Sequence, residues 1–170
     1  DAIKVLKQEI WPSIRKELPD AEIHIYGAYL PQQVSQMHHP KSGFYVKGWT
    51  ENVDVVLNSA KVLLAPLQFG KLMDAMRTGT PSVTTTVGAE GMHKDLPWNG
   101  AITNNWKAFA QISVKLHQSK DLWETAQEQG LELLQTIYNR AFLQDRLEER
   151  VNQIRRALET HREQNFIGKL

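Results

Sequence analysis

Apolar residues recur along the chain with helical spacing at both ends and in short runs between them. Near the start, five apolar residues follow one another at intervals of three or four: Ile3, Leu6, Ile10, Ile14 and Leu18. This spacing predicts an amphipathic helix, and Pro12 inside it predicts a kink or a restart of that helix. From Asn104 onward the same spacing returns, so we predict a mostly helical C-terminal part.

Short apolar or β-branched runs separate the helical segments of the first half. Each ends at a Gly or a Pro, and they occupy residues 22–26, 44–46, 61–66 and 81–87. Helices are predicted between them at 52–59 and 71–78. The run 61–66 is apolar without alternation, which is typical of a strand buried on both faces. This order of elements predicts an α/β fold with a Rossmann-like, doubly wound parallel sheet.

Composition narrows the classes of function. The 170 residues suffice for one domain with a full core, and a formal net charge of +1 without a basic block argues against nucleic acid as a partner. The chain contains no cysteine, which excludes disulfides and thiolate zinc sites. Its longest clean apolar run, residues 62–65, is far shorter than the roughly 20 residues of a membrane span. These features fit a cytoplasmic protein.

The adjacent pair His38 and His39 lacks spaced acidic partners, so no metal site is predicted there.

The most specific segment covers residues 63–86 and reads LLAPLQFGKLMDAMRTGTPSVTTT. A strand ends at Pro, a Gly-containing loop leads into a helix with an acid followed by Ala-Met, and Gly-x-Pro opens the next strand. This order resembles the nucleotide-binding motif of the group 1 glycosyltransferases of GT-B fold. Weaker matches follow in the family's order, from the first helix through the loop at 87–92 to closing helices at 139–158. The resemblance therefore covers nearly the whole chain.

The resemblance implies that residues 1–170 form one nucleotide-sugar-binding domain, the C-terminal half of a GT-B fold. It implies retaining transfer of a glycosyl group from a nucleotide diphosphate sugar to a polysaccharide, lipid or other glycan acceptor, without a metal ion or a cofactor. An N-terminal domain would hold the acceptor, and the full-length protein would associate peripherally with the inner face of a membrane. The family's first strand and its loop would lie upstream of Asp1. We therefore expect a fragment that is inactive alone.

Three residues at the start of the predicted helix 71–78 are candidates for donor binding. A glycine loop and a helix N-terminus offer free N–H groups to a diphosphate; Gly70 supplies the glycine, and Lys71 adds a positive charge. The resemblance assigns the ribose hydroxyls to Asp74, although an acid in the first turn also complements the helix dipole. Lys71 and Asp74 share one helix face at a spacing of i, i+3.

The loop before this helix departs from the family's pattern. Family members usually carry several more Gly-rich residues between Gly70 and Lys71. Either this loop is short or residues are missing at the junction, and we expect the second. The first acid of the family's acid-x7-acid pattern would fall in or near this gap, so no residue is assigned to it.

Four further candidates follow from their places at the ends of predicted strands. The resemblance implies that Val46 and Gly48 seat the base against backbone groups, a plain strand end being the alternative. Gly88 and Glu90 follow the run 81–87 and would face the sugar, a generic loop being the alternative. No catalytic residue is assigned.

Two other classes of function are compatible with the predicted fold. One is a nucleotide-sugar epimerase of GT-B fold. The other is a non-catalytic module, either a sugar-nucleotide sensor or a receiver-like signalling domain. A receiver needs acids at its strand ends, and none of the predicted strands ends in Asp.

Overall fold

The computed structural model of the chain describes residues 2–67 and 70–164. The chain divides into two compact units, Asp1–Leu134 and Gln135–Leu170. All the strands of the described residues lie in the first unit, and the described residues of the second unit are mostly helical. The candidate site residues therefore all belong to the first unit.

The N-terminal helix is interrupted where Pro12 predicts it. Helix α1 (Ala2–Val5) continues as a π-helical segment (Leu6–Ile10), and helix α2 (Trp11–Glu17) starts anew with Pro12 in its first turn. The backbone N–H of Trp11 donates to the carbonyl of Leu6, which is the wider i to i−5 bond of a π-helix. Because Pro12 has no N–H to donate, the helix changes its hydrogen-bond pattern just before it.

The strands are parallel, as predicted, and form two sheets. In the first sheet, β1 (Ile23–Tyr26) pairs with β2 (Phe44–Gly48). The second sheet has the order β3-β4-β5 and consists of Leu63–Ala65, Ser82–Thr84 and Gly100–Ile102. The predicted doubly wound sheet is thus parallel throughout but divided between β1 and β3 in the described residues.

Short helices connect the strands. They are α3 (Gln32–Ser35), α4 (Val53–Ser59) and α5 (Leu72–Thr78), and a 3-10 turn occupies Pro40–Ser42. The side chain of Asn52 caps α4 by accepting hydrogen bonds from two backbone N–H groups of its first turn. Helix α5 ends at Gly79, whose φ of 76° is the left-handed conformation that terminates helices and favours glycine.

Further helices follow β5, and the first three of them are longer than those between the strands. They are α6 (Trp106–Gln118), α7 (Lys120–Ile137), α8 (Arg140–Arg156) and α9 (Leu158–Gln164). The side chain of Asn105 caps α6, and that of Asn139 caps α8. No helix of the described residues is both long enough and apolar enough to cross a membrane. These helices agree with the mostly helical C-terminal part that the spacing of apolar residues predicts.

One core joins both sheets to the helices of the first unit. Ile10, Phe44, Val83 and Phe109 are completely buried in it, so the π-helical segment, β2, β4 and α6 each contribute a central side chain. β3 differs from its prediction. Leu63 and Leu64 are only half-buried, although the run without alternation predicts burial on both faces.

A buried polar network fixes the end of the long loop between β4 and β5. Ser82 Oγ donates to Asn99 Oδ1 at 2.7 Å, and the indole N–H of Trp98 donates to Ser82 Oγ at 3.1 Å. The Asn99 amide in turn donates to the carbonyl of Thr80 at 3.2 Å. Because each of these buried side chains has a hydrogen-bond partner, the network holds the loop to the sheet and offsets the cost of their desolvation.

Candidate functional site

The loops after β1 and β2 border a cavity of about 610 Å³. Its lining includes Gly27 after β1, and Val46, Gly48 and Trp49 at the end of β2. Gly48 has a φ of 81°, which favours glycine, and its carbonyl accepts a hydrogen bond from Gly27 N at 2.8 Å. Two of the predicted residues, Val46 and Gly48, therefore lie together on the wall of one cavity.

His38 occupies the outer edge of β2 beside this cavity. Its Nδ1 accepts a hydrogen bond from the backbone N–H of Val46 at 3.1 Å, and its ring meets Tyr45 edge-on, with ring centroids 5.8 Å apart. The N–H of Val46 is therefore already hydrogen-bonded and is not free to donate to a ligand at this strand end. Within the described residues there is no group of three or more His, Asp or Glu side chains placed to hold a metal ion.

Lys71 and Asp74 contact each other at the start of α5. Lys71 Nζ donates to Asp74 Oδ2 at 3.1 Å, which confirms that the two side chains share one face. Lys71 is the N-cap and not the first helical residue, because the helix begins at Leu72. Asp74 lies in the first turn, as predicted. Gly70 comes directly before Lys71 in the same turn, and a Cβ there would meet open space. The expectation that residues are missing between Gly70 and Lys71 stays a prediction.

Arg77 links this pair to α4, a contact that the sequence does not reveal. Its guanidinium donates to both carboxylate oxygens of Asp54, at 2.5 and 3.0 Å, and lies 3.5 Å from Asp74 Oδ1. The hydrogen bonds and charge of Arg77 lower the pKa of the Asp54 carboxyl, and Asp54 raises the pKa of Arg77. Two cations, Lys71 and Arg77, thus contact the carboxylate of Asp74.

Thr85 connects two of the candidate loops. It follows β4 directly and is buried, and its Oγ1 accepts hydrogen bonds from Leu67 N and Gly88 N, each at 3.3 Å. Leu67, directly after Pro66 at the end of β3, has a φ of 61°, an uncommon conformation for a residue other than glycine. The hydroxyl of Thr85 therefore holds the loop that leads towards Lys71 beside the loop that contains Gly88.

Replacing Thr85 tests this connection. Thr85→Val keeps the shape of the side chain but removes the acceptor from two backbone N–H groups, and we expect it to lower the free energy of unfolding by about 1–3 kcal/mol. Thr85→Ser keeps the hydroxyl and is the matched control, expected to stay closer to the parent. Urea denaturation measures both, and equal stability of the two variants would contradict the proposed connection.

The remaining predicted residues lie on the loop after β4. Gly88 is buried and bonded to Thr85, so its N–H is held by the protein. Glu90 is exposed in the following turn, with its N–H 3.4 Å from the carbonyl of Val87. Gly88 thus lies next to the loop after β3. The contacts described for Glu90 do not connect it to the other candidate residues.

Parallel strands flanked by helices, with candidate ligand groups in the loops at their carboxyl ends, define a Rossmann-like α/β protein. The sequence model of the family described as "Glycosyl transferases group 1" matches residues 1–119, well over half of the chain. The chain therefore belongs to the group 1 glycosyltransferases, as the resemblance predicts.

One solved structure extends the comparison. The chain is similar to a mutant of TarM from S. aureus, solved in complex with fondaparinux, alpha-GlcNAc-glycerol and UDP, with a TM-score of 0.72 and 20% sequence identity. The match covers 88% of this chain and 32% of TarM. At this identity the similarity shows the fold, and this chain spans about a third of the length of TarM. No curated protein matches the chain significantly.

Proposed function

We propose that this chain binds the nucleotide diphosphate sugar donor of a retaining glycosyltransferase. The observation that carries the proposal is the contact between Lys71 and Asp74 at the start of α5, within the segment that resembles the family's nucleotide-binding motif. A cation and a carboxylate 3.1 Å apart suit two adjacent parts of such a donor, because the phosphates need positive charge and the ribose hydroxyls need acceptors. The family match favours this role over an epimerase or a non-catalytic module.

The proposed chemistry relies on positioning and charge. The diphosphate gains negative charge as the glycosyl group leaves, and Lys71 supplies a cation at the N-terminus of α5, where the resemblance places the diphosphate. No metal ion is needed in this scheme, because the side chain itself supplies the charge. A Cβ at Gly70 would meet open space, which leaves room for the phosphates, and Gly88 and Glu90 remain candidates for contacts with the sugar.

The cavity of about 610 Å³ at the ends of β1 and β2 is the proposed place for the base. The backbone of Val46 and Gly48 borders it, and the exposed indole of Trp49 offers an apolar surface to a flat ring. Since the structure of TarM contains UDP, uridine diphosphate is the first probe, with GDP and ADP as comparisons.

The acceptor is proposed to bind elsewhere in a longer polypeptide. The chain spans about a third of TarM, and the acceptor site of a GT-B fold would lie on an N-terminal domain. We propose a cytoplasmic enzyme that reaches a glycan or lipid acceptor, by peripheral association with the inner face of the membrane where the acceptor is a lipid.

We expect the isolated 170-residue chain to transfer no sugar, because the acceptor domain is not part of it. The measurement is release of the nucleoside diphosphate from UDP-, GDP- and ADP-sugars in the presence of glycan and lipid acceptors, compared with buffer. The same assay on the full-length protein should show turnover with one of the donors. Release by the isolated chain would contradict its proposed incompleteness, and a full-length protein that binds no nucleoside diphosphate in calorimetry would contradict the proposed function.

A further inference from the structure

The cavity of about 610 Å³ at the ends of β1 and β2, which we call the strand-end cavity, has a lining whose side chains mostly donate hydrogen bonds. Its polar side chains are those of Tyr29, Ser35, His38, Lys47 and Trp49. Among the residues that the structure describes, no Asp, Glu, Asn or Gln lines it. An ammonium and an indole N–H only donate, whereas a hydroxyl and a neutral imidazole do both. The lining therefore suits a ligand that presents acceptors.

The tautomer of His38 adds a donor to this lining. Its Nδ1 accepts the hydrogen bond from the backbone N–H of Val46, so the proton of the neutral imidazole lies on Nε2. Within residues 2–67 and 70–164, no group accepts a hydrogen bond from this Nε2. The Nε2–H of His38 is therefore available to an acceptor on a ligand.

The ring of Tyr45 contacts both His38 and Lys47. Lys47 Nζ lies over this ring, 4.8 Å from its centroid, which is a cation–π contact. The imidazole of His38 meets the same ring edge-on, with ring centroids 5.8 Å apart. No described carboxylate forms an ion pair with Lys47, so no ion pair uses the three N–H donors of its ammonium. One aromatic ring thus orients two donors of the cavity.

The backbone groups at the wall of the cavity are less free than these side chains. The N–H of Val46 donates to His38 at 3.1 Å, and the carbonyl of Gly48 accepts from Gly27 N at 2.8 Å. The resemblance implies that Val46 and Gly48 seat the base through backbone groups, and in this chain each of them has such a group engaged. Side chains are therefore left to distinguish one base from another.

We propose that Lys47, with His38 beside it, recognises an exocyclic carbonyl of the base, so that the cavity selects a keto base, uracil or guanine, over adenine or cytosine. Lysine donates to the carbonyl oxygen of guanine in nucleic acids, whereas the amino group of adenine or cytosine needs an acceptor. An amino group in this cavity would meet donors and stay unpaired, and polar sites reject analogues in this way. This inference rests on the proposed binding of a nucleotide sugar and adds the class of base to it.

The size of the cavity does not make this selection. Cavities of about 300–1,000 Å³ hold drug-sized ligands, and the strand-end cavity lies within that range, so a pyrimidine and a purine both fit. The exposed indole of Trp49 offers its face to either ring. The hydrogen-bonding groups on the edge of the base, and not the size of its ring, are therefore expected to determine the affinity.

Two pairs of nucleotides that differ on one edge of the base test this selection in the full-length protein. UDP and CDP differ at the pyrimidine edge, and IDP and ADP differ at the purine edge. Each pair exchanges a carbonyl for an amino group, with the matching change of protonation at the adjacent ring nitrogen. Calorimetry should show that the keto member of each pair binds at least about 10-fold more tightly. The ribose and the diphosphate are the same within a pair, so the ratio of the two Kd values reports on the base alone.

Variants of Lys47 test whether this residue makes the selection. Lys47→Met keeps the length of the side chain without its donors and should reduce both ratios to less than about 3-fold. Lys47→Arg keeps donors and a positive charge, so it should preserve the preference. Lys41→Met is the matched control, because Lys41 is exposed on the 3-10 turn Pro40–Ser42 and does not line the cavity. It should leave both ratios unchanged.

Three outcomes would overturn the inference and leave the proposed function in place. They are equal affinities within both pairs for the parent, a preference that Lys47→Met leaves intact, and a loss of the preference in Lys41→Met equal to that in Lys47→Met, since the last would trace it to net charge. A full-length protein that binds none of the four nucleotides would contradict the proposed function itself, and the inference with it.

Discussion

Replacing Lys71 by alanine in the full-length enzyme is expected to lower kcat about 100-fold, the scale for removing one group that stabilises developing charge. The side chain is mostly exposed and its ammonium contacts Asp74 Oδ2 at 3.1 Å. An ammonium has three N–H donors, so this contact leaves donors for a diphosphate. In the proposed reaction the charge on the departing diphosphate grows as its bond to the glycosyl group breaks, so the loss should fall on kcat more than on binding of the ground state.

Lys120 provides the matched control for Lys71. It forms a similar exposed pair with Glu124 on α7, at 3.5 Å, outside the candidate site residues. Lys120→Ala removes the same charge and a similar ion pair, and should leave kcat and KM unchanged. Steady-state kinetics with calorimetry of UDP binding separates the two effects. If Lys71→Ala behaves like Lys120→Ala in both measurements, Lys71 has no part in the reaction.

Replacing Asp74 by alanine is expected to weaken binding of the nucleoside diphosphate by about 1.5–3 kcal/mol, the scale for hydrogen bonds to a charged group. This corresponds to roughly 10- to 150-fold in Kd. A carboxylate offers about four lone-pair positions, and in the structure Lys71 and Arg77 occupy two of them. Two positions remain for two adjacent ribose hydroxyls.

A ligand without those hydroxyls isolates the contact. Calorimetry with UDP should show the full loss for Asp74→Ala, whereas 2′,3′-dideoxy-UDP should bind the parent and the variant with similar affinity. Asp74→Glu keeps the charge and tests reach, because its side chain is one methylene group longer. An equal loss with both ligands would assign Asp74 to holding Lys71 and Arg77 instead of the ribose. No loss with UDP would remove Asp74 from the site.

The two substitutions should not be additive. Lys71 and Asp74 touch, and Arg77 contacts Asp74 while it pairs with Asp54 on α4. Removing Asp74 frees Lys71 for the phosphates, and removing Lys71 leaves Asp74 in contact with Arg77. A double-mutant cycle measured by UDP binding should therefore give a coupling of about 0.5–3 kcal/mol.

The sequence by itself predicts the elements and their order, because the signals that determine them are local. Pro12 changes the hydrogen-bond pattern of the first helix within one turn, and Gly79 ends α5 because its left-handed conformation favours glycine. The spacing of i, i+3 also suffices to place Lys71 and Asp74 on one helix face. The order of short motifs in residues 63–86 predicts the family to which the chain belongs. Each of these features depends on neighbours along the chain.

Tertiary structure alone decides which distant groups meet. Thr85 joins the loops of Leu67 and Gly88 across 18 and 3 residues of sequence, and Arg77 reaches Asp54 across 23. Nothing in the spacing of these residues marks them, because hydrogen bonds between separate loops depend on how the strands stack. The cavity of about 500 Å³ that residues of both β1 and β3 line is the clearest case. The run 61–66 predicts a strand covered on both faces, but only the spatial order of the strands shows that the edge of β3 towards β1 is open.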